Sequence, residues 1–333
     1  PVENLFSQND KENYESKLYD YIRCLLMRSG AYIEKKRLTA EFKLIYIDND
    51  GKKSFLQNEF FELKSKYLTI SDPGCAQSDL TFSAKTIRCL KRINSLDFQV
   101  SFPFLLKLLE KNISQDDLQE TINLLESYFV RRAIVGEDVK PLRKIFMDLC
   151  YSYEIRPENS PINIWVKNLF VEDRKKGKLS IMKYPTDEEV NEHLCRDDIY
   201  NKNENITNYI LLRLNEFLMG KEYPGEIAGY QIEHVLPQTD TVEWKAHFGL
   251  DDIEFKRVHS ECVGLIGNLT LTKLNPEMRQ KLFRDKKEYL KISAYRLTSE
   301  LGNRSSDIWT QHEIKDRTRE LTGLILKMFP DIK

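Results

Sequence analysis

A glutamate and a histidine stand side by side near the end of an alternating stretch, Tyr230-Gln-Ile-Glu-His-Val-Leu-Pro-Gln238. Tyr230, Ile232 and His234 alternate with Gln231, Glu233 and Val235, a period of two that predicts a short strand, ended by Pro237. Side chains at such a strand end border a loop, where they can reach a ligand. Val263 to Ile266 reads as a second short strand, followed by Gly267-Asn268-Leu-Thr-Leu-Thr272. Asn275-Pro276 then opens a basic helix from Glu277 to Lys291, with Asn275 as its N-cap and Pro276 in its first turn. Glu/His, then Asn, then Asn at a helix start is the order of groups that one-metal phosphodiester hydrolysis needs. A neutral imidazole at His234, with an ordinary pKa of about 6.5, takes the proton of an attacking water. A divalent cation steadies the charge on the phosphate and the leaving oxygen. Carboxylate and carboxamide oxygens suit magnesium or manganese better than zinc.

The chain carries 51 Lys and Arg against 52 Asp and Glu, so its bulk charge does not advertise a nucleic-acid binder. Phosphate affinity has to be local. The basic helix offers it: Arg279, Lys281, Arg284, Lys286, Lys287 and Lys291 are offset only by Asp285 and Glu288. The plainer reading of that helix is a solvated amphipath with Leu282, Phe283 and Leu290 inward. His259 and Cys262 suggest a thiol–imidazole pair, but a spacing of three residues is slight evidence for one. His247, Trp165 and Trp309 read as packing residues.

The elements ahead of these residues are helical. Apolar spacing predicts helices over 11–28, 35–46, 56–67 and 81–94, with a turn at Asp48-Asn49-Asp50-Gly51. Pro103 sits in the first turn of an apolar helix, and Ser114-Gln-Asp-Asp117 caps another carrying Leu118, Ile122, Leu125 and Phe129. Arg131-Arg132 follow, and a further helix covers 141–153. The charged run Glu172 to Lys178 has the composition of a solvated linker, and Thr186-Asp-Glu-Glu189 is a second capping box. A helix over 205–219 precedes the change of character. The expected fold is mainly α: a multi-helical scaffold domain over 1–180, then an α+β domain over 181–333.

The 333 residues contain no apolar run approaching the roughly 18 that a membrane span needs. Six scattered cysteines include no C-x-x-C pair, which argues against structural zinc and for reduced thiols in the cytoplasm. The chain starts at Pro1 without signal-peptide features, which suggests the excised part of something longer.

Ile-Glu-His-Val-Leu-Pro-Gln238, Ile-Gly-Asn-Leu-Thr-Leu-Thr272, Leu-Asn275 and Phe283-x-x-Lys286 together resemble the HNH (ββα-metal) nuclease domain of GmrSD-type modification-dependent (type IV) restriction enzymes. The likeness extends to Pro185-Thr-Asp-Glu-Glu-Val190, Glu243-Trp244 and the stretch from Ile308-Trp309 to Phe329-Pro330, and more loosely to Leu125-Glu-Ser-Tyr-Phe-Val-Arg-Arg132. The resemblance implies a DNA endonuclease acting on modified foreign or phage DNA. It implies His234 as general base, Asn268 as the residue that orders the loop and orients that histidine, and Asn275 with Glu233 as metal ligands. Many relatives carry another Asn where this chain has Gln280, which leaves position 280 outside the ligand set. The family's N-terminal sensor and NTPase domain has no counterpart here, so the chain resembles the C-terminal portion. One such site cuts one strand; a double cut would need a homodimer or two events. The alternative is a helical interaction or DNA-docking module with a degenerate, non-cutting nuclease fold.

Overall fold

A computed structural model describes residues 11–46, 53–73, 82–157, 160–225 and 229–332. The chain forms two compact units. The first takes residues 1–126, 138–183 and 332–333; the second takes Ser127–Glu137 with Tyr184–Asp331. The turn expected at Asp48–Gly51 lies outside the described residues.

The first unit is all helical among its described residues: α1 (Lys11–Met27), α2 (Leu38–Tyr46), α3 (Lys53–Ser71), α4 (Ala84–Ser95), α5 (Phe102–Glu110), the first part of α6 (Gln115–Val135), α7 (Lys140–Ser152) and α8 (Ile162–Arg174). Helices α1 to α7 fall where the apolar spacing of the sequence predicts helices, and α8 is not among those predicted. Helix α5 is buried along nearly its whole length, with Pro103 in its first turn, where a missing N–H leaves no bond unmade. Ser114 caps α6 by accepting from the Asp117 N–H at 3.1 Å. The carboxylate of Asp117 instead accepts from the N–H of Ile162 at the start of α8. The charged run after Glu172 is not a free linker. Its first residues finish α8, and buried Asp173 accepts from Ser180 Oγ at 2.5 Å and the Met182 N–H at 2.7 Å. One buried carboxylate with three donors around it, Lys176 included, ties the run down.

The second unit adds α9 (Asp187–Arg196), α10 (Ile199–Lys202), α11 (Glu204–Met219), β1 (Gln231–His234), α12 (Val242–Phe248), α13 (Asp252–Cys262), β2 (Leu269–Thr272), α14 (Asn275–Met278), α15 (Phe283–Lys291), α16 (Arg296–Gly302) and α17 (Gln311–Met328). The capping box at Thr186 starts α9: Thr186 and Glu189 each satisfy the other's backbone N–H. Arg131, from the end of α6, is fully buried and donates to Pro185 O, Phe329 O and Asp187 Oδ1. It is a structural tie within this unit, with no surface left for phosphate.

Strands β1 and β2 pair antiparallel, with Glu233 opposite Thr270 and His234 opposite Leu269. The second strand is therefore Leu269–Thr272, not Val263–Ile266. Val263 to Leu265 form a turn and Ile266–Asn268 a 3-10 turn, so the apolar run there is buried loop. Its apolarity serves the core beneath it, which gathers Val235, Leu236, Trp244, Leu265, Phe283 and Trp309. The predicted single basic helix also divides. Helix α14 stops at Met278, Arg279 takes a φ of 40°, and α15 begins at Phe283. Met278 and Phe283 both enter the core, and a continuous helix would not aim both inward at that spacing.

Candidate active site

Strand β1 stops at His234 because the next two residues both bond to Asn268, one to its backbone and one to its side chain. Val235 N–H donates to Asn268 O at 3.0 Å, and Leu236 N–H donates to Asn268 Oδ1 at 2.7 Å. Asn268 Nδ2 returns two bonds, to Leu236 O and Val263 O, each at 2.9 Å. Trp309 Nε1–H also donates to Oδ1, at 3.1 Å. Fully buried, Asn268 thus fills both donor positions and both lone pairs of its carboxamide. Arg317 holds the same loop from below, donating to Gly267 O and Leu269 O. His259 Nε2 donates to Pro237 O at 2.8 Å, which fixes its tautomer and gives it a loop-anchoring place. The Cys262 thiol is buried and pushed up to about 11, so it is no nucleophile.

Adjacent strand residues point to opposite faces, and this separates Glu233 from His234. Glu233 turns inward to α15, where Lys286 Nζ donates to its Oε1 at 2.6 Å. The same ammonium donates to His234 O and Val235 O, both at 3.0 Å. Burial pushes the Glu233 carboxyl up and the Lys286 ammonium down, and each partner opposes the other's shift. Three acceptors around Nζ match the three N–H bonds of the charged form, so the charged pair is the state this geometry fits.

His234 faces the other way, edge-to-face with Tyr200 at 4.6 Å between ring centres. Burial pushes its imidazole down to about 4; the charge of Asp198 opposes this and Lys286 reinforces it. Asp198 caps α10, accepting from the Asn201 N–H at 2.9 Å and from Asn201 Nδ2 at 2.7 Å. Its carboxylate lies so close to Gly264 that a Cβ there would collide with it. Glycine is needed at 264 for that approach. Asp198, Tyr200 and Gly264 carry no local sequence signal; the first two come from a one-turn helix before α11, and only the fold brings them to the histidine.

Asn275 opens α14 but does not cap it: Leu274 holds the cap position, and the Asn275 side chain is half-exposed. No side-chain contact joins it to Glu233 or His234 among the described residues. Of the six basic residues expected to offer phosphate affinity, Arg279, Lys281, Arg284 and Lys291 are exposed. Lys281 lies over the Tyr289 ring and donates to its hydroxyl at 2.9 Å. Lys286 is spent as above. Lys287 is also buried, donating to Arg304 O, Ser306 O and Asp307 Oδ1. Two of the six are therefore internal cations, because α15 turns both toward the protein.

A divalent ion fits poorly here. Among the described residues no group of three or more His, Cys, Asp or Glu could hold a metal, and the one buried carboxylate of the strand is already neutralised. The residues present do not make a preformed metal site.

Residues 184–324 match the family described as GmrSD restriction endonucleases, C-terminal domain. A comparison with curated proteins returns no match.

Proposed function

We propose that the second unit is a DNA endonuclease of the HNH type, the effector part of a modification-dependent restriction protein that acts on modified foreign or phage DNA in the cytoplasm. The observation that carries this is His234: it stands at the end of β1, held by the Asn268 clasp, inside the matched domain. Its lowered proton affinity keeps the imidazole neutral at physiological pH, the form a general base requires. A phosphodiester drawn alongside raises that affinity again, since an opposite charge favours the imidazolium. His234 then takes a proton from water as the water attacks phosphorus; the scissile P–O bond breaks and the departing sugar oxygen is protonated from solvent. Asn268 keeps the histidine's strand end from fraying. Arg279, Lys281 and Arg284 hold the DNA backbone nearby. Dependence on magnesium or manganese belongs to the proposal; a divalent ion would steady the charge on the phosphate and the leaving oxygen.

A nicking assay on supercoiled plasmid in magnesium or manganese, with His234→Ala in parallel, tests this. Nicking by the parent chain that disappears in the variant is expected; nicking that survives the substitution sinks the assignment. One observation favours the second reading, a DNA-docking module that does not cut: Glu233 is committed to Lys286 and leaves no open carboxylate on its face of β1. DNA binding by Arg279, Lys281 and Arg284 without any nicking would select it.

A further inference from the structure

The Glu233–Lys286 pair lies where the sequence places a metal ligand. We infer that Lys286 is the resident cation of this strand end, and that it closes Glu233 to divalent metal while fixing the backbone that carries His234. Both side chains are shielded from solvent, at 0% and 3% relative exposure. The ammonium has three N–H bonds and meets three oxygens: Glu233 Oε1, His234 O and Val235 O. Placing a dication on the same carboxylate would set two cations against one anion in a poorly screened interior. The ammonium has nowhere to retreat, because its other two acceptors are carbonyls of the same strand end and Lys286 is fully buried on α15. Lys286 thus supplies at Glu233 the charge balance and the backbone grip that a structural metal ion would supply. This deepens the proposed nuclease reading by removing one ligand from its metal set.

The test is a calorimetric titration of the full chain with manganese alone, without DNA, on the parent, Glu233→Gln, Lys286→Met and the double variant. Parent and Glu233→Gln should be indistinguishable. Lys286→Met should gain manganese affinity at least tenfold, and the double variant, which removes both charges together, should lose that gain. A parent chain that binds manganese and is weakened tenfold by Glu233→Gln would overturn the inference, as would a folded Lys286→Met with no gain. If Lys286→Met does not fold, the parent and Glu233→Gln comparison still decides. Failure of the nuclease reading appears separately, as absence of His234-dependent nicking.

Discussion

Removing the Asn268 carboxamide is the most informative single perturbation of the site. Asn268→Ala strands four partners at once: the Leu236 N–H, Leu236 O, Val263 O and Trp309 Nε1–H. An unmet buried polar group costs about 1–3 kcal/mol. Taking the low end for each, because water can enter the vacated space, the loss is about 4 kcal/mol. For a unit of this size that corresponds to a fall in melting temperature on the order of 8–16 °C. Denaturant unfolding followed by tryptophan fluorescence reads it directly, since Trp244 and Trp309 both lie in this unit's core. Asn268→Asp sharpens the comparison: it still accepts from Leu236 and Trp309 but presents charge to two carbonyls it can no longer donate to. The aspartate should therefore be destabilised as well, despite its matching shape. A loss below about 1 kcal/mol in the alanine variant would mean that the clasp does not hold the strand end.

The remaining expectations concern the charges and the close contacts of the second unit. Lys281→Ala and Arg284→Ala should each lower the slope of log affinity against log salt for DNA by about one with stability unchanged, whereas Lys287→Ala should leave the slope alone and lower stability. A thermal melt beside a salt-dependent binding assay separates the two classes. Gly264→Ala forces its methyl onto the Asp198 carboxylate, and a cost of about 1–3 kcal/mol is expected, relieved in the Asp198→Ala background. No relief in that double variant would dismiss the contact. His247 Nε2 accepts the Trp309 N–H at 3.2 Å, and burial, helped by Arg284, holds its proton affinity below the ordinary value. A histidine depressed in the folded state contributes stability above its unfolded pKa of about 6.5 and loses it as pH falls below that. Urea unfolding of the parent should weaken over that acid range, and His247→Gln should show less of the decline; identical pH profiles would exclude His247 as a source.

Periodicity and capping chemistry are local, and the residues that rest on them were legible in the sequence. Helices α1, α5, α6, α7, α9 and α11 fall where apolar spacing and Ser114 or Thr186 put them, and β1 falls where alternation does. The alternation also placed Glu233 and His234 on one short strand, next to a loop. What the tertiary structure decided is which way side chains face and what meets them. The run Val263–Ile266 has strand-like apolarity, yet its backbone is turned by the Asn268 bonds, and the strand begins only at Leu269. Lys286 and Lys287 read as surface cations because charge in a sequence carries no direction, but both lie on the buried face of α15, one bonded to the end of β1 and the other to the stretch before Trp309. Asp198, Tyr200 and Gly264 come together only because α10 and the turn before Asn268 fold onto the same strand end. Glu233 and His234 are neighbours in sequence and are parted by the pleat: one is turned to a buried lysine, the other to an aromatic edge.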